Sequence, residues 1–243
     1  MSKLRILCLH GFTSNGNVHK HQVRNITSQF SSEFEFIFPD GPYKVDLADG
    51  SPSELAKIRL WIDFVAANST SGHRAWWFAK DPNPATNDLG GFQGLEKSLE
   101  YIGRLIEKSG PVHAIWGFSQ GACFAGFLTS LLHEKQRGHH LRQHLPQQQG
   151  LPRVGVYFSG FKARFAQYDS VYEHGIEVPT LHIMGEQDHV VRIERSETLK
   201  SVCRDPRTLK HGGGHNIPES EEDMAIVANF LREALESKSR ESL

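Results

Sequence analysis

Short apolar runs alternate along this chain with longer segments of helical periodicity. Leu4 to Leu9 is a compact apolar stretch, followed by a turn at His10-Gly11. Residues 17–30 are compatible with a helix, and Phe34 to Phe38 forms a second apolar run closed by Pro39-Asp40-Gly41-Pro42. Leu95, Leu99, Ile102 and Ile106 recur at helical spacing within 92–108, and Gly110-Pro111 stops that helix. A strand over 112–116 leads through Gly-Phe-Ser-Gln-Gly into an apolar helix over 120–133. Further strands are expected over 154–159, 180–184 and 207–211, with helices over 193–202 and 218–235. Glu219, Glu221, Glu222 and Asp223 suit the positive N-terminal end of that last helix.

Two segments break the pattern. Residues 41–91 are rich in Pro, Ser, Asn, Asp and Gly without clear periodicity, so they read as a functional loop or cap-like insertion. Residues 133–150 are polar and read as a solvated loop. The strand–helix alternation predicts an α/β fold in one domain over 1–243, a mainly parallel central sheet with helices on both faces.

Composition changes this picture little. A chain of 243 residues with 38% hydrophobic and 23% charged residues fits one globular core. The net charge of −1 gives no electrostatic case for nucleic acid or an anionic membrane. Cys8, Cys123 and Cys203 have no disulfide-like spacing. Residues 1–9 run straight into His-Gly-Phe without a small-residue cleavage site, so they read as a strand and not a leader. No apolar stretch approaches the roughly 20 residues needed to span a bilayer. The default compartment is the cytoplasm, and nothing separates it from the nucleus.

The chemistry concentrates at three turns. Gly117-Phe118-Ser119-Gln120-Gly121 matches G-x-S-x-G between a strand and a helix, the context that raises a serine to the top of a sheet. A serine hydroxyl is a weak nucleophile until an adjacent base takes its proton, and the base must be held in one tautomer. Asp188 follows the strand over 180–184, and His215 follows the strand over 207–211 through three glycines. The order serine, acid, histidine is that of the α/β-hydrolases. Glu186 is a rival acid, His211 a rival base, and a plain helix cap is the bland role for Asp188. Phe12 and Gln120 are the expected oxyanion-hole residues, through their backbone N–H groups, and His10 is expected to be structural.

LCLHGFTSNG, HRAWWF, WGFSQGA, HIMGEQDHVV and HGGGHNIP occur in this order between positions 7 and 218. Together they resemble the fungal and animal family of serine hydrolases, the ovarian cancer-associated gene 2 protein family, within the α/β-hydrolase superfamily. The resemblance implies a cofactor-free ester hydrolase and matches Ser119, Asp188 and His215 to the family triad. Arg192 departs from the proline common in related chains. Trp76, Trp77 and Phe78 are candidates for an acyl pocket suited to medium or long acyl esters, with a structural corner as the alternative for the two tryptophans.

Other readings remain open at this level: an acyl-thioesterase or peptidase on the same machinery, or a non-catalytic interaction protein on a hydrolase scaffold. A metal site on His139, His140 and His144 is disfavoured, because a polar loop lacks the supporting hydrogen bonds such ligands need. Cys123 reads as a small core residue. The expected partner is a small acyl ester or thioester. Oligomeric state is not legible.

Overall fold

The computed structural model describes residues 3–30, 32–47, 52–86 and 88–240. Residues 1, 2, 31 and 241–243 of the expected domain, and 48–51 and 87 of the expected insertion, lie outside them. The elements in chain order are β1 (Leu4–Leu9), α1 (Gly16–Gln22), α2 (Arg24–Thr27), β2 (Phe34–Ile37), β3 (Tyr43–Lys44), α3 (Pro52–Lys57) and α4 (Arg59–Asn68). Then come β4 (Arg74–Ala75), β5 (Phe78–Lys80), β6 (Gly91–Gln93), α5 (Leu95–Ser109), β7 (Ala114–Phe118) and α6 (Gln120–Leu131). The chain continues through β8 (Val154–Phe158), β9 (Thr180–Gly185), α7 (Ile193–Lys200), β10 (Pro206–His211) and α8 (Glu221–Arg240).

Six strands form one sheet in the order β10-β9-β8-β7-β1-β2, every neighbouring pair parallel. From β1 the chain goes to one edge for β2 and then to the other side for β7 and its successors. That reversal opens a crevice at the C-terminal ends of β1 and β7, where ligands bind in open parallel sheets.

Side chains alternate across the sheet, as a pleated strand requires. Ile6, Cys8, Ala114 and Trp116 face a core completed by Val23, Ile26 and Phe30 before β2 and by Val227 and Leu231 on α8. Leu7, Leu9 and Ile115 face the opposite core with Leu99 and Ile102 of α5 and Phe124 and Phe127 of α6.

Every residue of α6 is buried, so its polar groups must find partners inside. Thr129 Oγ1 donates to Ala125 O at 2.8 Å, and Ser130 Oγ donates to Val171 O at 2.8 Å. Gly121 lets α6 approach β1, since a Cβ there would collide with the Leu9 carbonyl.

Three expectations need correction. The helix over 17–30 is broken into α1, α2 and a 3-10 turn at Ser28–Phe30. Weak helix formers cluster here (Val23, Asn25, Thr27, Ser28), and Val23, Ile26 and Phe30 are all buried in the core across the breaks.

Residues 133–150 are not a solvated loop. Leu141, Arg142, Leu145 and Gln149 are buried. The Arg142 guanidinium donates to Leu145 O (2.8 Å), Pro146 O (3.1 Å) and Gln149 O (2.9 Å), and the Gln149 amide pairs with both Val112 N and Val112 O. A buried side chain with several donors supplies the order that a polar sequence does not advertise.

Within 41–91 lie α3, α4 and parts of two small antiparallel sheets, β3 with β4 and β5 with β6. The α4 helix escapes a periodicity reading because its apolar residues are spread around its circumference, from buried Val65 to Leu60 at 86% exposure. Among the described residues, no helix is long and apolar enough to cross a membrane.

Candidate active site

Ser119 stands between β7 and α6 with φ of 53° and ψ of −115°, a backbone region that a non-glycine residue enters only under strain. Its N–H donates to Phe158 O at 2.9 Å, tying the turn to the end of β8. Gly117 permits the turn, because a Cβ there would meet the Gly121 carbonyl. The result is a hydroxyl at the C-terminal edge of the sheet, beside the N-terminal end of a fully buried helix.

His215 Nε2 lies 3.0 Å from Ser119 Oγ, and His215 Nδ1 lies 2.7 Å from Asp188 Oδ2. A carboxylate only accepts, so Nδ1 carries the hydrogen and Nε2 is left free to accept from the serine hydroxyl. Asp188 is buried, and its two oxygens are fully engaged. Oδ1 accepts from Val190 N (2.9 Å) and Val191 N (2.7 Å), while Oδ2 also accepts from Ser159 Oγ (2.9 Å). Burial by itself would raise the Asp188 pKa. The bonds from His215, Val191 N–H and Ser159 outweigh it and hold the carboxyl below its ordinary 3.8, so it stays ionised.

The rivals are placed elsewhere. Glu186 is exposed. His211 remains in β10, accepts from Gly213 N–H at 3.2 Å through Nδ1, and has its pKa lowered by burial. Cys123 is buried in α6, where burial pushes its thiol up to about 12.

Ser159 is the site residue that sequence reading passed over. It ends the strand expected over 154–159, and its φ of 47° turns it toward Asp188. A serine followed by glycine at the functional edge of the sheet was the available signal.

His10 Nδ1 donates to Gly11 O at 2.7 Å and its Nε2 accepts from Gly41 N at 2.8 Å. Complete burial lowers its pKa to about 4. A neutral imidazole therefore welds the loop after β1 to the start of the insertion.

Around Ser119 is a cleft of about 380 Å³ whose walls include Phe12, Ile58, Trp61, Phe118 and Val190. Among the described residues, its lining contains no Lys, Arg, Asp or Glu. Phe12 shares the lining of the cleft with Ser119, and Gln120 is the residue that follows it. Gln120 opens α6, where the first N–H groups lack partners within the helix.

The expected acyl-pocket aromatics are not in this lining. Trp76 and Trp77 are buried behind the elbow. Trp76 Nε1 donates to His10 O at 2.9 Å, and Trp77 stacks on Phe92 with centroids 4.6 Å apart. The Gln120 amide holds them, accepting from Trp76 N and donating to Trp77 O at 2.9 Å each. These contacts are those of a structural corner. Phe78 packs edge-on against Phe12, with centroids 6.3 Å apart, outside the cleft. The tryptophan that does line it is Trp61.

His139, His140 and His144 are occupied locally. His139 Nδ1 accepts from Leu141 N, its ring stacks on His140 at 4.6 Å, and His144 faces Glu100. Among the described residues, no group of three or more His, Cys, Asp or Glu side chains could hold a metal ion.

The parallel six-stranded sheet with its serine at the β7–α6 turn is the architecture of the α/β-hydrolases. Residues 1–226 match the family described as serine hydrolase (FSH1), and the chain belongs to that family. It is 30% identical over 236 residues to Esterase CG5412 of Drosophila melanogaster, covering 96% of this chain and 75% of that one. Esterase OVCA2 of Danio rerio is 27% identical over 234 residues, covering 94% and 96%. Among solved structures, Arabidopsis thaliana SOBER1 superposes with a TM-score of 0.58 at 18% identity, covering 96% of this chain and all of that one. Esterase PE8 gives 0.57 at 19% identity, covering 96% and 94%. At such identities the two structures speak for the fold alone.

Proposed function

We propose that this serine hydrolase cleaves carboxylic esters of apolar acyl groups, of medium or long chain, through an acyl-enzyme on Ser119. The observation that carries the reading is the continuous hydrogen-bonded chain from Ser119 Oγ to His215 at 3.0 Å and from His215 to Asp188 at 2.7 Å. His215 Nε2 takes the hydroxyl proton as Oγ attacks the ester carbonyl, and Asp188 stabilises the imidazolium without becoming protonated. The backbone N–H groups of Phe12 and Gln120 receive the developing oxyanion; removing one such donor typically costs about 10²–10³ in turnover. His215 then returns the proton to the leaving alcohol. Water, deprotonated by His215 in the second half, attacks the acyl-enzyme and releases the acid and the free serine. No step calls for a cofactor. Among the described residues the lining carries no charged side chain, which supports an apolar acyl group, and the insertion contributes Ile58 and Trp61 to the wall of the cleft.

A fluorophosphonate probe tests this directly. Wild type is expected to gain one adduct by intact mass and to hydrolyse p-nitrophenyl esters, with both lost in Ser119→Ala. A folded wild type that neither labels nor turns over any ester of the series overturns the reading. Running a matched thioester alongside separates ester from thioester preference.

A further inference from the structure

Trp61 is fixed from two directions. Its indole Nε1–H donates to both Thr13 O and Thr13 Oγ1, each at 3.0 Å. Its ring stacks on Phe64, with centroids 5.7 Å apart and planes 26° from parallel. Phe64 in turn meets His21 edge-on at 5.8 Å. Swinging the indole away breaks both the donor pair and the stack, so the ring is a wall and not a loose flap. Thr13 is itself held in the left-handed region, with φ of 59°, and its carbonyl is also bonded to His73 Nδ1 at 2.7 Å. The wall is therefore anchored to the loop after β1, one residue from Phe12.

Trp61 lines the cleft at Ser119 and His215. It also lines a second depression of about 460 Å³, with Phe64 and Ile217 as apolar lining and Arg24 and Glu219 beside them. Trp61 and Gln22 are the side chains common to both linings. Asn216 and Ile217, which directly follow His215, belong to the second depression, so it begins where the proposed catalytic loop ends. Two side chains thus stand between the reactive serine and a further volume as large as the cleft.

We propose that Trp61 is the specificity-determining residue of this site: it closes the acyl cleft against the second depression and thereby sets the acyl length accepted. This rests on the ester chemistry proposed at Ser119. Without the indole the two volumes join, and a longer acyl chain gains apolar contact with Phe64 and Ile217. Each methylene buried in apolar surroundings is worth about fourfold in affinity, so a few methylenes suffice for a large change in preference.

The experiment compares Trp61→Ala, Trp61→Phe and Gln22→Ala with wild type. The readout is the ratio of kcat/KM for p-nitrophenyl decanoate to that for p-nitrophenyl butyrate, with fluorophosphonate labelling in parallel. Trp61→Ala is expected to raise the ratio by about tenfold or more, and Trp61→Phe, which keeps an aromatic wall, to return it close to the wild-type value. A general loss of structure lowers both esters together and leaves the ratio unmoved. An unchanged ratio in labelled Trp61→Ala overturns the proposal. If that variant does not fold, Gln22→Ala carries the same test from the other half of the partition: a raised ratio supports the divided cleft, and an unmoved one overturns it. A wild type that does not label brings down the Ser119 chemistry itself, which is a different result from labelled variants with a wild-type ratio.

Discussion

Ser119 and Ser159 share a feature that links backbone conformation to the site. Both hold positive φ without being glycine, and each follows the last residue of a sheet strand. Such a residue costs of order 1–3 kcal/mol, tolerated because the surroundings over-determine it. For Ser119 these surroundings are the bond to Phe158 O and the buried helix that starts at Gln120. Ser119→Gly is accordingly expected to abolish turnover while raising folding stability by about 1 kcal/mol, the relief of strain less the greater chain entropy of glycine. Urea denaturation measures this, and a glycine variant less stable than wild type refutes stored strain at the elbow. The serine and its two proposed partners were legible as residues following expected strands, because motif chemistry is written locally. Ser159 was not, since nothing in Tyr-Phe-Ser-Gly says that its hydroxyl meets a carboxylate 29 positions further on.

At the level of elements, the inner strands β1, β7, β8 and β9 were readable because a doubly covered parallel strand is a short, largely apolar run. Helix α5 was readable for the opposite reason, its clean apolar stripe. The segment 133–150 failed both tests. Its order comes from Arg142, a cation whose donors converge on the carbonyls of Leu145, Pro146 and Gln149, and from Gly103 of α5, where a Cβ would strike the His144 carbonyl. Arg142→Ala leaves three buried carbonyls without that donor, and destabilisation of about 3 kcal/mol is expected. Fluorophosphonate labelling per folded molecule should stay at the wild-type level. A stability change under about 0.5 kcal/mol, the range of an ordinary surface substitution, contradicts the role assigned to this arginine. Helix α4 was missed for a different reason: it faces a cleft as well as a core, so apolar residues appear on more than one side.

For the whole molecule, the three histidines with almost no exposure, His10, His19 and His182, dominate the response to acid. Burial lowers the pKa of His10 to about 4, and of His19 and His182 to about 3, from an ordinary 6.5. Unfolding lets each take up a proton below about pH 6.5, whereas the folded state resists until much lower pH. Their contribution to stability is therefore fully present above pH 6.5 and is lost progressively as pH falls toward 3. The slope reaches as much as about 1.4 kcal/mol per pH unit for each group. Asp188, held below its ordinary 3.8, acts in the same direction at the acid end. The urea midpoint is expected to be flat above pH 7 and to fall steadily below it, less steeply in His182→Gln. A midpoint independent of pH between 7 and 4.5 rules out these buried neutral rings.

The sequence by itself determined the strand–helix alternation, the serine at a strand–helix turn and the order of acid and histidine after it, because those depend on periodicity and on neighbours a few residues apart. Only the tertiary structure decided which tryptophan faces the serine. Trp76 and Trp77 are drawn inward by hydrogen bonds to His10 and Gln120, while Trp61 is held at the cleft by Thr13. These partners lie between 43 and 66 residues away along the chain. A large ring with one N–H is chemically the same at all three positions in the sequence, and only the folded chain supplies the contacts that fix which way it points, an acceptor for the indoles of Trp76 and Trp61 and the Phe92 ring for Trp77.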